Sequence, residues 1–300
     1  MIYGIGETVL DIVFQDNQPQ RAIPGGSVFN SIVSLGRSGM ECTMIAQTGD
    51  DHVGDLTLNY LRENGVRTTL LSRCPGMKSH ISLAFLNEQR DAQYTFYKDH
   101  SAWSINSLMT AVEQVQFTAQ DVLLIGSFFA VNPLVRPAVA LLLQRAHEAG
   151  AFIYYDLNYR RPHVSQLAEV MPFIEENIAL ATVTRASTED LAHFKPLPRR
   201  FAAPLPQKGQ GRIVTEGAGP VKLYTAEGVL TLETPQIEPV STVGAGDNFN
   251  AGFIYEYIRS SLTSNPANWT HEQWLALAHT AQAFSRQACL SWENSITYKP

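Results

Sequence analysis

The sequence predicts an α/β protein of three layers, α/β/α, with a mostly parallel central sheet and a small β-sheet lid standing apart from it. Three observations lead there. The runs "DVLLIGSF" (121–128), "AFIYYDLN" (151–158) and "GRIVTEG" (211–217) share the pattern of strands buried on both faces. Helical patterns separate such runs, and that alternation implies parallel strands joined by right-handed crossovers. One segment, 80–97, breaks the rhythm.

Taken in order, "IYGIG" (2–6) reads as a strand, and the β-rich "ETVLDIVF" (7–14) is assigned to the lid. In "SVFNSIVSLGRSG" (27–39), Val28, Ile32 and Leu35 fall on one helical face and Gly39 can end the helix. "ECTMIAQTG" (41–49) is the next strand. "HISLAFL" and "AQYTFY", joined by the polar "NEQRD", make an antiparallel hairpin over 80–97 that completes the lid. "PLVRPAVALLLQRAHEAG" (133–150) is a helix closed by Gly150. The Pro- and Gly-rich segment 193–211 is a surface loop. Strand-like "IEPV" (237–240) leads into "STVGAGDNFNAGF" (241–253), after which Phe249, Phe253 and Tyr257 recur at i, i+4, i+8 as a helix face. No internal repeat is visible, and a single domain over 1–300 is expected.

Composition excludes several classes. With 300 residues, 45% of them hydrophobic and 17% charged, the chain can bury a large core. A formal net charge of −6 and the lack of a basic stripe argue against a nucleic-acid partner. Cys42, Cys74 and Cys289 show neither paired nor metal-type spacing, which suits a reducing cytoplasm. No signal peptide or membrane span is legible, so no membrane partner is expected.

The stretch "STVGAGD" carries the chemistry. Gly244, Ala245 and Gly246 lack bulky side chains, so an incoming group can approach the backbone. The first N–H groups of the helix that follows have no internal partners and form an anion site. A carboxylate placed there, Asp247, is at odds with an anion unless it accepts a proton from a neutral hydroxyl while the amides hold charge on a transferring phosphoryl group. The alternative is an aspartate that merely closes a strand-to-helix turn as its N-cap. Neither a Walker A loop nor a complete G-x-G-x-x-G fingerprint occurs.

"STVGAGDNFNAGF" resembles the C-terminal signature of the ribokinase-like (PfkB) carbohydrate kinases, whose usual form is closer to D-T-x-G-A-G-D-x-F. "PGGSVFNSIVSLGRSG" followed by "TGDDHVGD" is similar to that family's Gly-Gly-x-x-x-Asn sugar-binding stretch. "GETVLD", "GSF", "DLNYR" and "VTEGAGP" extend the likeness over nearly the whole chain. The resemblance implies the ribokinase-like fold, with Asp247 as catalytic base and Gly244, Ala245 and Gly246 as anion hole. It places Asp11, Gly25, Gly26 and Asn30 against sugar hydroxyls, and Thr215 and Gly217 in the nucleotide site. Asn294, at the end of a helix that the family packs against adenine, is assigned to the same cofactor set.

Departures accompany the likeness. Ser241 stands where the family signature begins with Asp, which bears on any ion held by that carboxylate. The family's Asn-x-x-Glu motif, which tunes magnesium and phosphate, should lie near "VTRASTEDL". Ser187 and Asp190 hold its apparent places with Glu189 alongside, so Glu189 and Asp190 are both metal candidates and a helix capping box competes with them. "DLNYRRP" resembles the D-x-N-x-R stretch of fructokinases and 2-keto-3-deoxygluconate kinases, which implicates Arg160 at the phosphoryl group or substrate. "FYKDHSA" (96–102) resembles a stretch that closes over the sugar, with Lys98 in place of the usual Arg.

The expectation is an ATP-dependent fructokinase-like enzyme moving the γ-phosphoryl group to a primary ketose hydroxyl, fructose giving fructose 6-phosphate. ATP, magnesium and room for a monovalent cation are implied, as is a homodimer formed through the lid. The alternatives are 2-keto-3-deoxygluconate as substrate, or a protein that binds a sugar or nucleoside without catalysis.

Overall fold

The computed structural model describes residues 1–86, 92–98, 105–204, 206–207 and 209–298. The expected lid turn at 87–91, and residues 99–102 of "FYKDHSA", lie outside them. In chain order the elements are β1 (Ile2–Ile5), β2 (Val9–Gln15), β3 (Gln18–Gly25), α1 (Ser27–Arg37), β4 (Cys42–Gly49), α2 (His52–Glu63), β5 (Val66–Arg67) and β6 (Leu71–Cys74). They continue with β7 (His80–Leu86), β8 (Ala92–Tyr97), α3 (Ile105–Glu113), β9 (Val122–Gly126), α4 (Arg136–Glu148), β10 (Phe152–Asp156), α5 (Leu167–Leu180), β11 (Val183–Ser187), α6 (Thr188–Ala192) and α7 (Arg199–Ala202). β12 (Gly211–Thr215), β13 (Val221–Thr225), β14 (Gly228–Leu232), α8 (Ala245–Arg259) and α9 (His271–Cys289) complete the chain.

Among the described residues the strands form two sheets. The larger runs β14-β13-β12-β11-β10-β9-β1-β4-β5, with β6 also paired to β4. Pairing is parallel from β12 through β4, and the hairpin β13–β14 adds an antiparallel edge. Strand residues alternate between two cores. Ile2, Val122, Leu124, Phe152 and Tyr154 pack with α1, α8 and α9 on one face. Ile5, Leu123, Ile125, Ile153 and Tyr155 pack with α3, α4 and α5 on the other. Both alternate sets must therefore be apolar, which is why these strands read as continuous hydrophobic runs.

The smaller sheet has the order β3-β2-β7-β8. Beyond the expected segments it contains β3, which a sequence reading passes over because Pro19 and Pro24 interrupt "QPQRAIPG". Proline is tolerated there because β3 is an edge strand, where missing N–H groups face no neighbour on one side. "IEPV" forms no strand; it runs irregularly between β14 and α8, and Val240 N–H bonds to the Cys289 carbonyl. The expected loop 193–211 contains the single turn of α7. Among the described residues no helix is long and apolar enough to cross a membrane.

The strand order reverses at β1, flanked by β4 and β9, and ligands of open α/β sheets bind beyond the carboxyl ends of strands at such a switch point. The small sheet rises from this place, since β1 leads directly into β2.

Candidate active site

Asp247 sits in the first turn of α8, and it is not the N-cap. That place belongs to Gly244, whose φ of 77° is a left-handed conformation that a side chain would strain. A Cβ on Gly244 would also stand 2.6 Å from the Asn294 carbonyl oxygen. The helix end has no side-chain cap. Ala245 N–H is taken by the Thr242 carbonyl at 3.2 Å, whereas the N–H groups of Gly244, Gly246 and Asp247 have no partner among the described residues. Of the amides expected to form an anion hole, those of Gly244 and Gly246 are open, that of Ala245 is spent within the turn, and the Asp247 amide is open beside them. Gly246 is required for a further reason: a Cβ there would meet the Arg185 guanidinium at 2.8 Å.

The Asp247 carboxylate is buried, 9% exposed, and Asn30 Nδ2 donates to its Oδ2 at 2.9 Å. Ser31 Oγ donates to the Asp247 carbonyl at 2.8 Å. These bonds span 217 and 216 positions and lock α1 against α8. Ser27 also bonds the carboxylate, and Asn158 Nδ2 donates to Ser27 Oγ at 2.7 Å, so "DLNYR" reaches the base through a serine. Burial pushes the Asp247 pKa up to about 6, aided by the nearby Asp156 charge and opposed by Asn30, Ser27 and Arg160.

Asp11, on β2, is 6% exposed and 283 positions from Asn294, whose Nδ2 donates to its Oδ2 at 3.2 Å. Ser82 Oγ on β7 donates to Oδ1. Burial, with the Asp247 charge adding to it, raises the Asp11 pKa to about 7 against the pull of Ser82 and Lys98. Gly25 lies so close that any Cβ would collide with the Asp11 carboxylate, and a Cβ on Gly26 would stand 2.5 Å from the Glu7 carbonyl. Lys98 follows β8 and pairs with Glu7 at 2.5 Å, both largely buried. The expected sugar set Asp11, Gly25, Gly26, Asn30 and Lys98 is thus brought together at the base of the small sheet.

The other expected residues divide. Thr215 ends β12 and its Oγ1 accepts from Arg185 at 2.8 Å, while Gly217, with φ 54°, turns the exposed loop beyond it. Asn294 does not join them; its side chain lies with Asp11, on the other side of the α8 terminus. Asp190 is 2% exposed, and its Oδ2 accepts from both the N–H and hydroxyl of Ser187, whose Oγ accepts Asp190 N–H at 3.0 Å. The capping box is therefore formed. Glu189 is exposed, with Arg160 Nη1 3.8 Å from its Oε2. Among the described residues no three His, Cys, Asp or Glu side chains cluster to cage a metal.

Sequence reasoning missed Arg185. It is 6% exposed on β11, pairs with Asp156 Oδ2 at 2.9 Å and lies beneath Gly246. Burial would lower its pKa, but the Asp156 carboxylate and other neighbouring negative groups hold it raised. Asn250 Nδ2 also donates to Asp156 Oδ2, at 2.7 Å. The signal lay in "VTRAS", a cation inside a run of strand residues.

Comparison with known proteins agrees with this geometry. The pfkB family carbohydrate kinase profile matches residues 5–290. The chain is 25% identical to the aminoimidazole riboside kinase of Salmonella typhimurium strain LT2, over 87% of this chain and 82% of that protein. It is 26% identical to a fructokinase of Vibrio alginolyticus, over 84% of this chain and 82% of the relative. The crystal structure of Vibrio cholerae O395 fructokinase, in its fructose-, ADP- and calcium-bound form, superposes with a TM-score of 0.81 at 20% identity, covering 98% of this chain and 94% of that one. Two widely separated motifs that meet at one buried aspartate, a ribokinase-like architecture and a family match over nearly the full length lead to one conclusion: this chain belongs to the pfkB family of carbohydrate kinases.

Proposed function

We propose that the protein phosphorylates a primary hydroxyl of a neutral sugar, fructose in the first place, with ATP as phosphoryl donor. The observation that carries this reading is the buried Asp247 carboxylate beside the open amides of the α8 terminus. With a pKa near 6 it is ionised at neutral pH yet basic enough to take a hydroxyl proton as the oxygen attacks. The amides of Gly244, Gly246 and Asp247 then face the charge that develops on the transferred group. Arg160, half exposed after β10, is the cation for the same charge. Thr215 and Gly217 line the nucleotide side. Magnesium, when bound, neutralises phosphate charge, and Glu189 is the carboxylate suited to its water shell because Asp190 is consumed in the capping box. The small sheet acts as the lid that excludes water and so suppresses ATP hydrolysis.

The choice of a neutral sugar rests on hydrogen-bond polarity. Asp11 and Asp247 accept only when ionised, and Asn30 Oδ1 is buried with no partner among the described residues. Lys98, the cation best placed to hold a substrate carboxylate, is neutralised by Glu7. Such a site suits a ligand that donates O–H groups and repels 2-keto-3-deoxygluconate. A riboside with a free primary hydroxyl is the second reading, favoured by the similarity to an aminoimidazole riboside kinase. ADP release from magnesium-ATP with fructose, 2-keto-3-deoxygluconate, ribose and aminoimidazole riboside tests these readings. Turnover of fructose is the expected result, and turnover of the sugar acid alone would sink it.

The outer lid face also supports a homodimer. Ile12 and Phe14 pair in register with Leu83 and Phe85, all only half-buried, and Phe14 stacks on Phe85 at 4.8 Å. Tyr97 beside them is 60% exposed. A second lid of the same composition covers such a face best.

A further inference from the structure

Asn294 occupies a place that the sugar-kinase reading leaves unassigned. Its residue is wedged between the two halves of the site. A Cβ on Gly25, on the sugar side, would come within 3.4 Å of Asn294 Nδ2, and a Cβ on Gly244, on the phosphoryl side, would meet its backbone. The main chain here is held firmly. The Asn294 carbonyl accepts Asn248 Nδ2 at 2.8 Å, Ser295 Oγ donates to the Asn30 carbonyl at 3.2 Å, and Ile296 N–H donates to Ser34 Oγ at 3.0 Å. Glu293 is tied on one side to Arg21 of β3 and on the other to Arg37 of α1. The side chain is 1% exposed. Its amide nitrogen faces the Asp11 carboxylate, as charge requires, so the amide oxygen is turned away from Asp11. That oxygen has no partner among the described residues.

We propose that Asn294 is a specificity-determining residue of the sugar pocket, its amide oxygen accepting a hydroxyl of the substrate while its amide nitrogen holds Asp11 in register for the neighbouring hydroxyl. The inference rests on the reading of the site as that of a neutral-sugar kinase. It assigns the tail of the chain to acceptor selection and removes it from the adenine site. An acceptor that the bound sugar covers discriminates strongly, because an analogue lacking the matching hydroxyl leaves it unpaired.

The test is steady-state kinetics of wild type and Asn294→Ala with fructose and its monodeoxy analogues, each at varied sugar and varied ATP. Asn294→Ala is expected to raise KM for fructose by roughly tenfold, the worth of one such bond together with the loosened Asp11. KM for ATP should stay within about twofold of wild type, well inside the tenfold that one hydrogen bond represents. With one of the deoxy sugars the penalty should vanish, since the hydroxyl that Asn294 reads is already gone. An equal penalty on every analogue would mean a purely structural role and would overturn the proposal, as would a raised KM for ATP with unchanged sugar kinetics. Circular dichroism and the ATP constants of the variant report whether it folds, and Asn294→Ser, which keeps a small acceptor, should recover part of the sugar affinity. If the wild type released no ADP with any neutral sugar, the substrate reading itself would fail and this inference with it.

Discussion

Asp247 carries the largest prediction at the scale of single residues. Asp247→Asn should cut kcat by about 10²–10⁴-fold, the usual worth of a positioned base, with little change in KM for either substrate. Wild-type turnover should rise with pH through about 6 as Asp247 ionises. Asp156→Asn should move that limb to lower pH, because the Asp156 charge helps hold Asp247 up and Arg185 would be left uncompensated. A limb unmoved in that variant would remove Asp156 from the tuning of the base. The same shift has a stability side. Asp247 and Asp11, raised in the folded protein to about 6 and about 7, favour the native state only while protonated. Their contribution is full below the ordinary carboxylate value near 4 and is lost as pH rises through 6 and 7. Asp247→Asn should therefore raise stability, read by thermal melts, by about 3 kcal/mol at pH 8 but scarcely at pH 4, since the wild-type carboxyl moves from near 4 to about 6 on folding. Tyr154 offers a separate check, since its hydroxyl is buried with no partner among the described residues. Tyr154→Phe should leave thermal stability unchanged or higher by about 1 kcal/mol, read by thermal melts.

At the scale of elements, the glycine run before Asp247 and the Asn three residues into α1 were legible because each has one job that few residue types can do. What escaped was the context supplied by other elements. Ala245 belongs to the motif, yet its amide is spent within the turn, a fact of backbone geometry that no residue identity announces. Asn294 reads as part of the helix nearest the nucleotide, but α9 ends at Cys289 and the tail doubles back to the base of β3. β3 itself was hidden by its prolines, and α2 and α5 were never singled out as elements. The lid sheet yields the prediction proper to this scale. Phe85→Lys, placed on the outer face opposite Phe14, should convert the proposed dimer to a monomer in sedimentation experiments, while a wild type that is monomeric at every concentration would rule the dimer out.

The whole molecule explains why the site survives so many buried charges. Asp11, Asp156, Arg185, Asp190 and Asp247 are all under a tenth exposed, a costly set that only an extensive apolar frame can hold. Two cores, one on each face of the large sheet, supply that frame, and the α/β class was readable because both faces demand apolar residues. The order of the strands was not, since it depends on which neighbour each strand finds and not on its own composition. The contact between Asp11 and Asn294 has one more consequence. The proposed sugar pocket joins residues far apart in the sequence, so a growing polypeptide cannot complete it until the segment through Ile296 has left the ribosome. During synthesis, substrate cannot stabilise the partly made chain, and the fold must stand on its apolar cores alone until that segment has emerged.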